Sequence, residues 1–241
     1  METKRPLPVP EMLLALLSPI RPVEAARAFR TLLDDPNDTG QVFRMVRALS
    51  GPQPAWLLWR FRHHPDGARL LRDRPALLPR LLDREALRRL PEGTLGRAYA
   101  AFCEAEGITA DGLIAASEAA PIPLDPATSD LAFMHHRLRD SHDLWHVVTG
   151  YRGDLIGEPA LLGFTFAQTR HPGLALIAAG AWHRLAEFPD RRQIPHGFAR
   201  GRRAAWLPPV PWEDLLDRPL EEVRRTLRID PPPTYTDVRM L

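Results

Sequence analysis

Residues 127–149 read ATSDLAFMHHRLRDSHDLWHVVT, and this stretch decides the fold. Leu131, Met134, Leu138 and Trp145 recur at spacings of three, four and seven, the period of a helix with one apolar face. The spacing predicts one central helix over 127–149 with that stripe turned to the core. His142 and His146 follow Leu138 by four and eight residues, so both imidazoles are expected to point inward, where a titratable ring needs a partner.

The helical period continues on either side of this stretch, as in Ala25, Phe29 and Leu32, while runs with strict two-residue alternation are hard to find. The chain therefore reads as all-α, with strands few or absent. Pro36, Pro52, Pro75, Pro91, Pro123, Pro159, Pro172, Pro195 and Pro219 punctuate the apolar-periodic segments where helices should begin or end, which gives ten or more helices. No Ser/Gly-rich or charged spacer divides the chain, so a single-domain multi-helix bundle is expected over residues 21–233, with 1–20 as an N-terminal extension and 234–241 as a tail.

Composition sets limits on function. An apolar fraction of 44% and a charged fraction of 26% are those of an ordinary globular chain. The formal charge is only +2, and arginines supply nearly all the cations; they are scattered among comparable numbers of acids, so no nucleic-acid partner is expected. Cys103 stands alone, which excludes an internal disulfide and suits a reducing compartment. The apolar run 12–17 is shorter than a signal-peptide core and flanked by prolines, so a cytoplasmic protein is expected. The apolar stretch 160–182 is interrupted by Gln168-Thr169-Arg170-His171-Pro172, leaving neither piece long enough to span a bilayer; an exposed apolar face can still lie on one.

The chemistry gathers around the end of the central helix. His142 and His146 are about one turn apart, so their ring nitrogens can converge on one ion. Asp143 sits about 100° round the helix from His142, where it can add an oxygen ligand or orient a histidine from behind. Glu158 lies twelve residues past His146 and would be roughly 18 Å away along a continuous helix. Gly150, Gly153 and Gly157 prevent that continuation, and Glu158 before Pro159 reads as the cap of the next helix, turned back over the first. Two imidazoles and one or two carboxylates suit a divalent ion, zinc before magnesium, iron or cobalt, with a coordination position left for water or substrate. Singly, each residue has a plainer explanation: a satisfied core histidine, an Asp143–Arg139 pair, a helix-capping Glu158. Their joint spacing favours the metal. His135 and His136 face partly elsewhere and are read as surface or supporting groups.

The run His142-Asp143-Leu144-Trp145-His146 followed by Glu158 resembles the signature of the ubiquinone (coenzyme Q) biosynthesis family called Coq-four. So do Leu90-Pro91-Glu92-Gly93-Thr94-Leu95-Gly96 with Tyr99 and Phe102, and Trp212-Glu213, Pro219-Leu220, Val223-Arg224 and residues 229–232. The resemblance covers residues 37–233 and departs at Tyr151-Arg152-Gly153-Asp154, where smaller or uncharged residues are more usual. It implies an all-α fold and a divalent metal held by His142, Asp143, His146 and Glu158. It also implies metal-dependent, oxidative or non-oxidative, removal of the C1 carboxylate from a polyprenylated 4-hydroxybenzoate head group. Implied partners are that precursor, other ubiquinone-biosynthesis proteins and the inner membrane, touched peripherally; a homodimer is a further expectation.

Two rivals stand beside this reading. His-Asp phosphohydrolases also use an adjacent His-Asp pair, but their remaining ligands come from separated helices, unlike the close His146 and Glu158. The other is a non-catalytic polyprenyl-lipid-binding scaffold in which the metal braces the fold.

Overall fold

The computed structural model describes residues 9–34, 39–109, 112 and 125–239; Pro36 and Pro123 lie outside them. The described residues form fourteen α-helices and no strand, so the fold is all-α. In chain order they are α1 (Val9–Leu16), α2 (Pro22–Asp34), α3 (Thr39–Leu49), α4 (Gln53–Arg62), α5 (Pro65–Asp73), α6 (Leu77–Leu82), α7 (Arg84–Arg89), α8 (Leu95–Ala105), α9 (Asp130–Asp140), α10 (His142–Thr149), α11 (Gly157–Thr169), α12 (Pro172–Arg184), α13 (Gln193–Arg203) and α14 (Leu220–Thr226). Short 3-10 turns cover Pro189–Arg192 and Trp212–Asp214.

Local chemistry sets these ends. Pro65 and Pro172 open α5 and α12, where the missing N–H costs nothing. Asp83 and Ser129 cap α7 and α9 by accepting from Ala86 N (3.0 Å) and Ala132 N (2.9 Å). The first helix is tied to the body by Glu11, whose carboxylate accepts from Leu131 N at 3.0 Å and from the Ser129 hydroxyl.

The expected continuous helix over 127–149 is instead two, α9 and α10, meeting at Ser141. The Ser141 hydroxyl donates to Leu138 O at 3.3 Å, the local competition with helix bonding that serine brings. The apolar stripe still faces inward, with Met134 and Trp145 buried and Leu131 and Leu138 packed at the edge of the core.

Tyr99, Trp145, Phe164 and Trp212 are the bulky centre of the main core, and Phe61 anchors a smaller cluster with Leu57, Leu70, Phe133 and Met134. The closest helix crossing is that of α11 with α13. A Cβ on Gly197 would stand 2.1 Å from Ala160 O, one on Gly163 2.6 Å from Ile194 O, and one on Gly201 2.6 Å from Phe164 O. Glycine lets the two backbones touch there, and Gln168 locks the crossing by donating to Gly201 O at 2.6 Å.

Buried arginines complete the polar accounting. A helix leaves its last four carbonyls without internal donors. In α10, Arg224 takes Val147 O and Val148 O, both at 2.9 Å, and Arg200 takes Thr149 O at 2.9 Å. Gly150 N takes His146 O at 2.8 Å. Arg137 joins α9 to the Trp212–Asp214 turn through two 2.7 Å bonds to Glu213 and one of 2.9 Å to Val210 O.

Candidate metal centre

The site depends on how the chain reverses after α10. Gly150 closes the helix with φ 77°, and a Cβ there would lie 2.5 Å from Pro232 Cβ, so both backbone and packing call for glycine. Asp154 then organises the turn: its Oδ1 accepts from Ile156 N (2.8 Å) and Gly157 N (3.2 Å), and its Oδ2 accepts from the Tyr235 hydroxyl (2.8 Å). Tyr235 Oη in turn accepts from Arg152 N at 2.9 Å. A Cβ on Gly157 would fall 2.2 Å from Arg152 O, so only glycine permits a turn this tight.

The reversal brings Glu158 back over the two histidines, one residue inside α11 instead of at its cap; Ile156 stands at the cap, and Asp154 accepts from its N–H and that of Gly157. Its Oε2 lies 3.0 Å from His146 Nε2 and its Oε1 3.6 Å from His142 Nε2. One donor atom from each of the three side chains falls within 4.8 Å of the others. Donors about 2.1 Å from a tetrahedral ion stand roughly 3.4 Å apart, so the spacing suits such a centre. Asp143 is not in this convergent trio. Its charge acts on His146 from farther off, and Arg139 pairs with Asp140 and not with Asp143 in the ion pairs seen.

His146 is held on every side. It is 3% exposed, Phe102 stacks on it with centroids 5.2 Å apart, and His142 meets it edge-on at 5.0 Å. Its Nδ1 is 2.9 Å from Tyr151 O, and since a carbonyl only accepts, Nδ1 carries the hydrogen. Nε2 then presents a lone pair to a carboxylate oxygen, two acceptors that need a cation between them. A proton or a metal ion can fill that role, and the donor set fits a divalent ion.

The electrostatics carry the same demand. Burial pushes the His146 pKa down, but the charge and hydrogen bond of Glu158 outweigh it and the ring ends above its ordinary value. Burial pushes Glu158 up, yet His146 and then His142 hold its carboxyl down to about 2. His142 was expected to point inward; its side chain is 36% exposed and that of Glu158 41%, because both stand at the rim where the chain turns. The trio thus has a buried floor and an open side.

Sequence reasoning missed Asp154 and Tyr235, which shape the turn, and gave Phe102 no role. An Asp two and three residues before Ile156 and Gly157 is a capping signal that could have been read; a partner 81 residues away could not.

Fold and donors together define an all-helical protein in which two histidines and a glutamate converge so that they could hold a metal ion. Residues 22–233 match the family described as coenzyme Q (ubiquinone) biosynthesis protein Coq4, and the chain belongs to that family. It is 36% identical over 181 residues to the mitochondrial ubiquinone biosynthesis protein COQ4 of Pyricularia oryzae, covering 73% of this chain and 57% of that one. It is 35% identical over 184 residues to the Uncinocarpus reesii protein of the same name, covering 73% and 62%. The chain thus spans less than two thirds of the length of these relatives. A crystal structure from Nostoc punctiforme PCC 73102, of a protein assigned to ubiquinone biosynthesis, shares the fold with a TM-score of 0.63 and 22% identity, over 87% of this chain and 98% of that one.

Proposed function

We propose that this chain serves ubiquinone biosynthesis as a metal-dependent enzyme that removes the C1 carboxylate from a polyprenylated 4-hydroxybenzoate-derived head group. The observation that carries the reading is the convergence of His142, His146 and Glu158 on one point with an open side. A divalent ion, zinc by the donor types, would supply Lewis acidity to an oxygen of the head group. The chain's own residues do the rest. Tyr151 O fixes the tautomer of His146, Phe102 fixes its ring plane, and Asp154 fixes the turn that carries Glu158. Asp143 supports His146 electrostatically. In the non-oxidative form the bond from C1 to the carboxylate carbon breaks, carbon dioxide leaves, and the electron pair on C1 takes up a proton. In the oxidative form dioxygen takes the two electrons and leaves as hydrogen peroxide, water supplies the hydroxyl that C1 gains as carbon dioxide departs, and the product mass separates the two.

The polyprenylated precursor, other enzymes of the pathway, peripheral contact with the inner membrane, and a second copy of the chain are the partners this role would involve. No helix among the described residues is long and apolar enough to cross a membrane. The 3.0 Å His146–Glu158 contact favours one alternative, a non-catalytic polyprenyl-lipid-binding scaffold, because an imidazolium–carboxylate pair can brace the turn without an ion.

The test is deletion of the gene in a ubiquinone-making host, with lipid extracts read by mass spectrometry. The expected result is a prenylated precursor that keeps its ring carboxylate; the wild-type chain restores quinone, and His142→Ala does not. His146→Ala should lose bound metal while keeping its helicity, and Glu158→Gln should weaken metal binding less, since one neutral oxygen can still coordinate. Full complementation by a metal-free variant would replace the catalytic reading with the scaffold.

A further inference from the structure

At the end of α11 opposite Glu158, about 18 Å along the axis at 1.5 Å per residue, several helix ends meet around a basin of about 340 Å³. Arg60 comes from the last turn of α4, Arg170 from the residue after α11, Arg202 from the last turn of α13 and Arg228 from just beyond α14. No acidic side chain lines the basin. Among the described residues none of these guanidinium groups has an ion pair or a hydrogen bond; Arg60 lies over the Trp206 ring, 4.0 Å from its centroid, and 6.0 Å from that of Trp56.

The floor is built and ordered. Gln168, 3% exposed, accepts from Leu207 N at 2.7 Å, and its backbone carbonyl accepts from Trp206 Nε1 at 2.9 Å. Trp206 thereby presents a fixed face on which the Arg60 guanidinium rests, so one cation of the basin is preoriented.

The backbone offers an independent observation. The described non-glycine residues with positive φ are Arg74 (44°), Arg170 (59°) and Arg228 (53°). Positions just after a helix in this conformation usually carry glycine, because an L side chain is strained there. Arg74 has a structural reason to be an arginine: it donates to Pro126 O at 2.8 Å, Ser129 O at 3.1 Å and the Asp130 carboxylate. Arg170 and Arg228 have no such occupation, and both face the basin. Cations near helix C-termini complement the macrodipole, but a capping role would bring these side chains onto carbonyls, and none makes such a bond.

We propose that this basin binds an anion bearing a phosphate or diphosphate group. A set of unpaired guanidinium groups without a carboxylate asks for more than one negative charge, and phosphate oxygens match the guanidinium fork. Burial, and then the charge of Arg170, lower the pKa of Arg60, the crowding that a bound anion would relieve. The inference stands apart from the metal-centre reading, being built on other residues at the other end of α11. The phosphate can be that of a soluble ester or of a lipid headgroup.

The full-length protein is titrated with inorganic pyrophosphate by calorimetry, and separately with phosphatidylcholine vesicles with and without phosphatidic acid. The variants are Arg170→Gly/Arg228→Gly, which introduces the residue the backbone prefers, Arg30→Gln as a control of equal charge type away from the basin, and His146→Ala, which excludes chelation at the metal centre. Expected is pyrophosphate binding that weakens about tenfold or more in the double variant and persists in Arg30→Gln and His146→Ala. Binding confined to phosphatidic acid vesicles, with the same dependence on Arg170 and Arg228, identifies the headgroup as the source and equally supports the basin. Equal binding by wild type and double variant, or no binding to either probe, overturns it. Pyrophosphate binding lost in His146→Ala and kept in the double variant would place the anion at the metal centre and overturn the basin.

Discussion

The two ends of α11 answer the same electrostatic problem differently. At its N-terminus, where the helix dipole favours an anion, Glu158 stands against His146 and His142, and the turn before it is fully bonded through Asp154, Tyr235 and Arg152. At its C-terminus, where the dipole favours cations, Arg170 joins Arg60, Arg202 and Arg228 with no acid among them. The first end has its complementary charges within the chain; the second must find them in solvent or in a ligand. Between them, the glycine crossing with α13 holds the helix as a fixed spacer.

The largest test removes that spacer. In Gly197→Ala the new methyl would sit 2.1 Å from a backbone carbonyl that cannot rotate away, so α11 and α13 must separate. We expect a loss of about 3 kcal/mol or more, read as the denaturant midpoint, with metal and pyrophosphate binding falling together. A variant of wild-type stability would show that the two ends are not held through this crossing.

The sequence made the first end legible and left the second hidden, for a physical reason. Residues 142–158 are local: helical spacing puts His142 and His146 on one face, and Gly150 and Gly157 announce the reversal that returns Glu158 to them. The break at Ser141 escaped notice because Ser141 keeps helical angles (φ −84°, ψ −5°) and interrupts no apolar period. The outward lean of His142 follows from its place at the rim and not from its register. Arg60, Arg170, Arg202 and Arg228 come from separate helix ends, and in one dimension they look scattered among acids; only the fold brings the cations together without the acids.

A second test asks whether acid acts on one end selectively. His171, the cap of α12 and next neighbour of Arg170, accepts from Gly173 N at 3.1 Å and meets Ser50 Oγ at 3.0 Å. Burial, and then the charge of His135, lower its pKa from 6.5 to about 4. A folded pKa below the unfolded one means stability that is complete above about pH 6.5 and lost as pH falls through about 4. The loss should be about 3 kcal/mol. His171→Asn keeps an oxygen to cap α12 and removes the titration, so its melting temperature should decline less than that of the wild type between pH 6.5 and 4. Parallel profiles would remove His171 as the acid-sensitive group.

The smallest effect has the most informative sign. Replacing Arg170 by glycine relieves the left-handed strain of an L residue, about 1 kcal/mol, and one like-charge contact with Arg60, while the unfolded chain gains back a few tenths to 1 kcal/mol of freedom. The sum should be a slight stabilisation in low salt, a degree or two in melting temperature, shrinking as salt screens the repulsion. Arg74→Gly relieves the same kind of strain but removes the bonds to Asp130, Pro126 and Ser129, so it should destabilise instead. Equal signs for the two substitutions would mean that Arg170 has a structural occupation after all. Added pyrophosphate should invert the first comparison: the wild type gains stability from an anion that binds only the folded state, Arg170→Gly gains less, and the variant that led in its absence then trails.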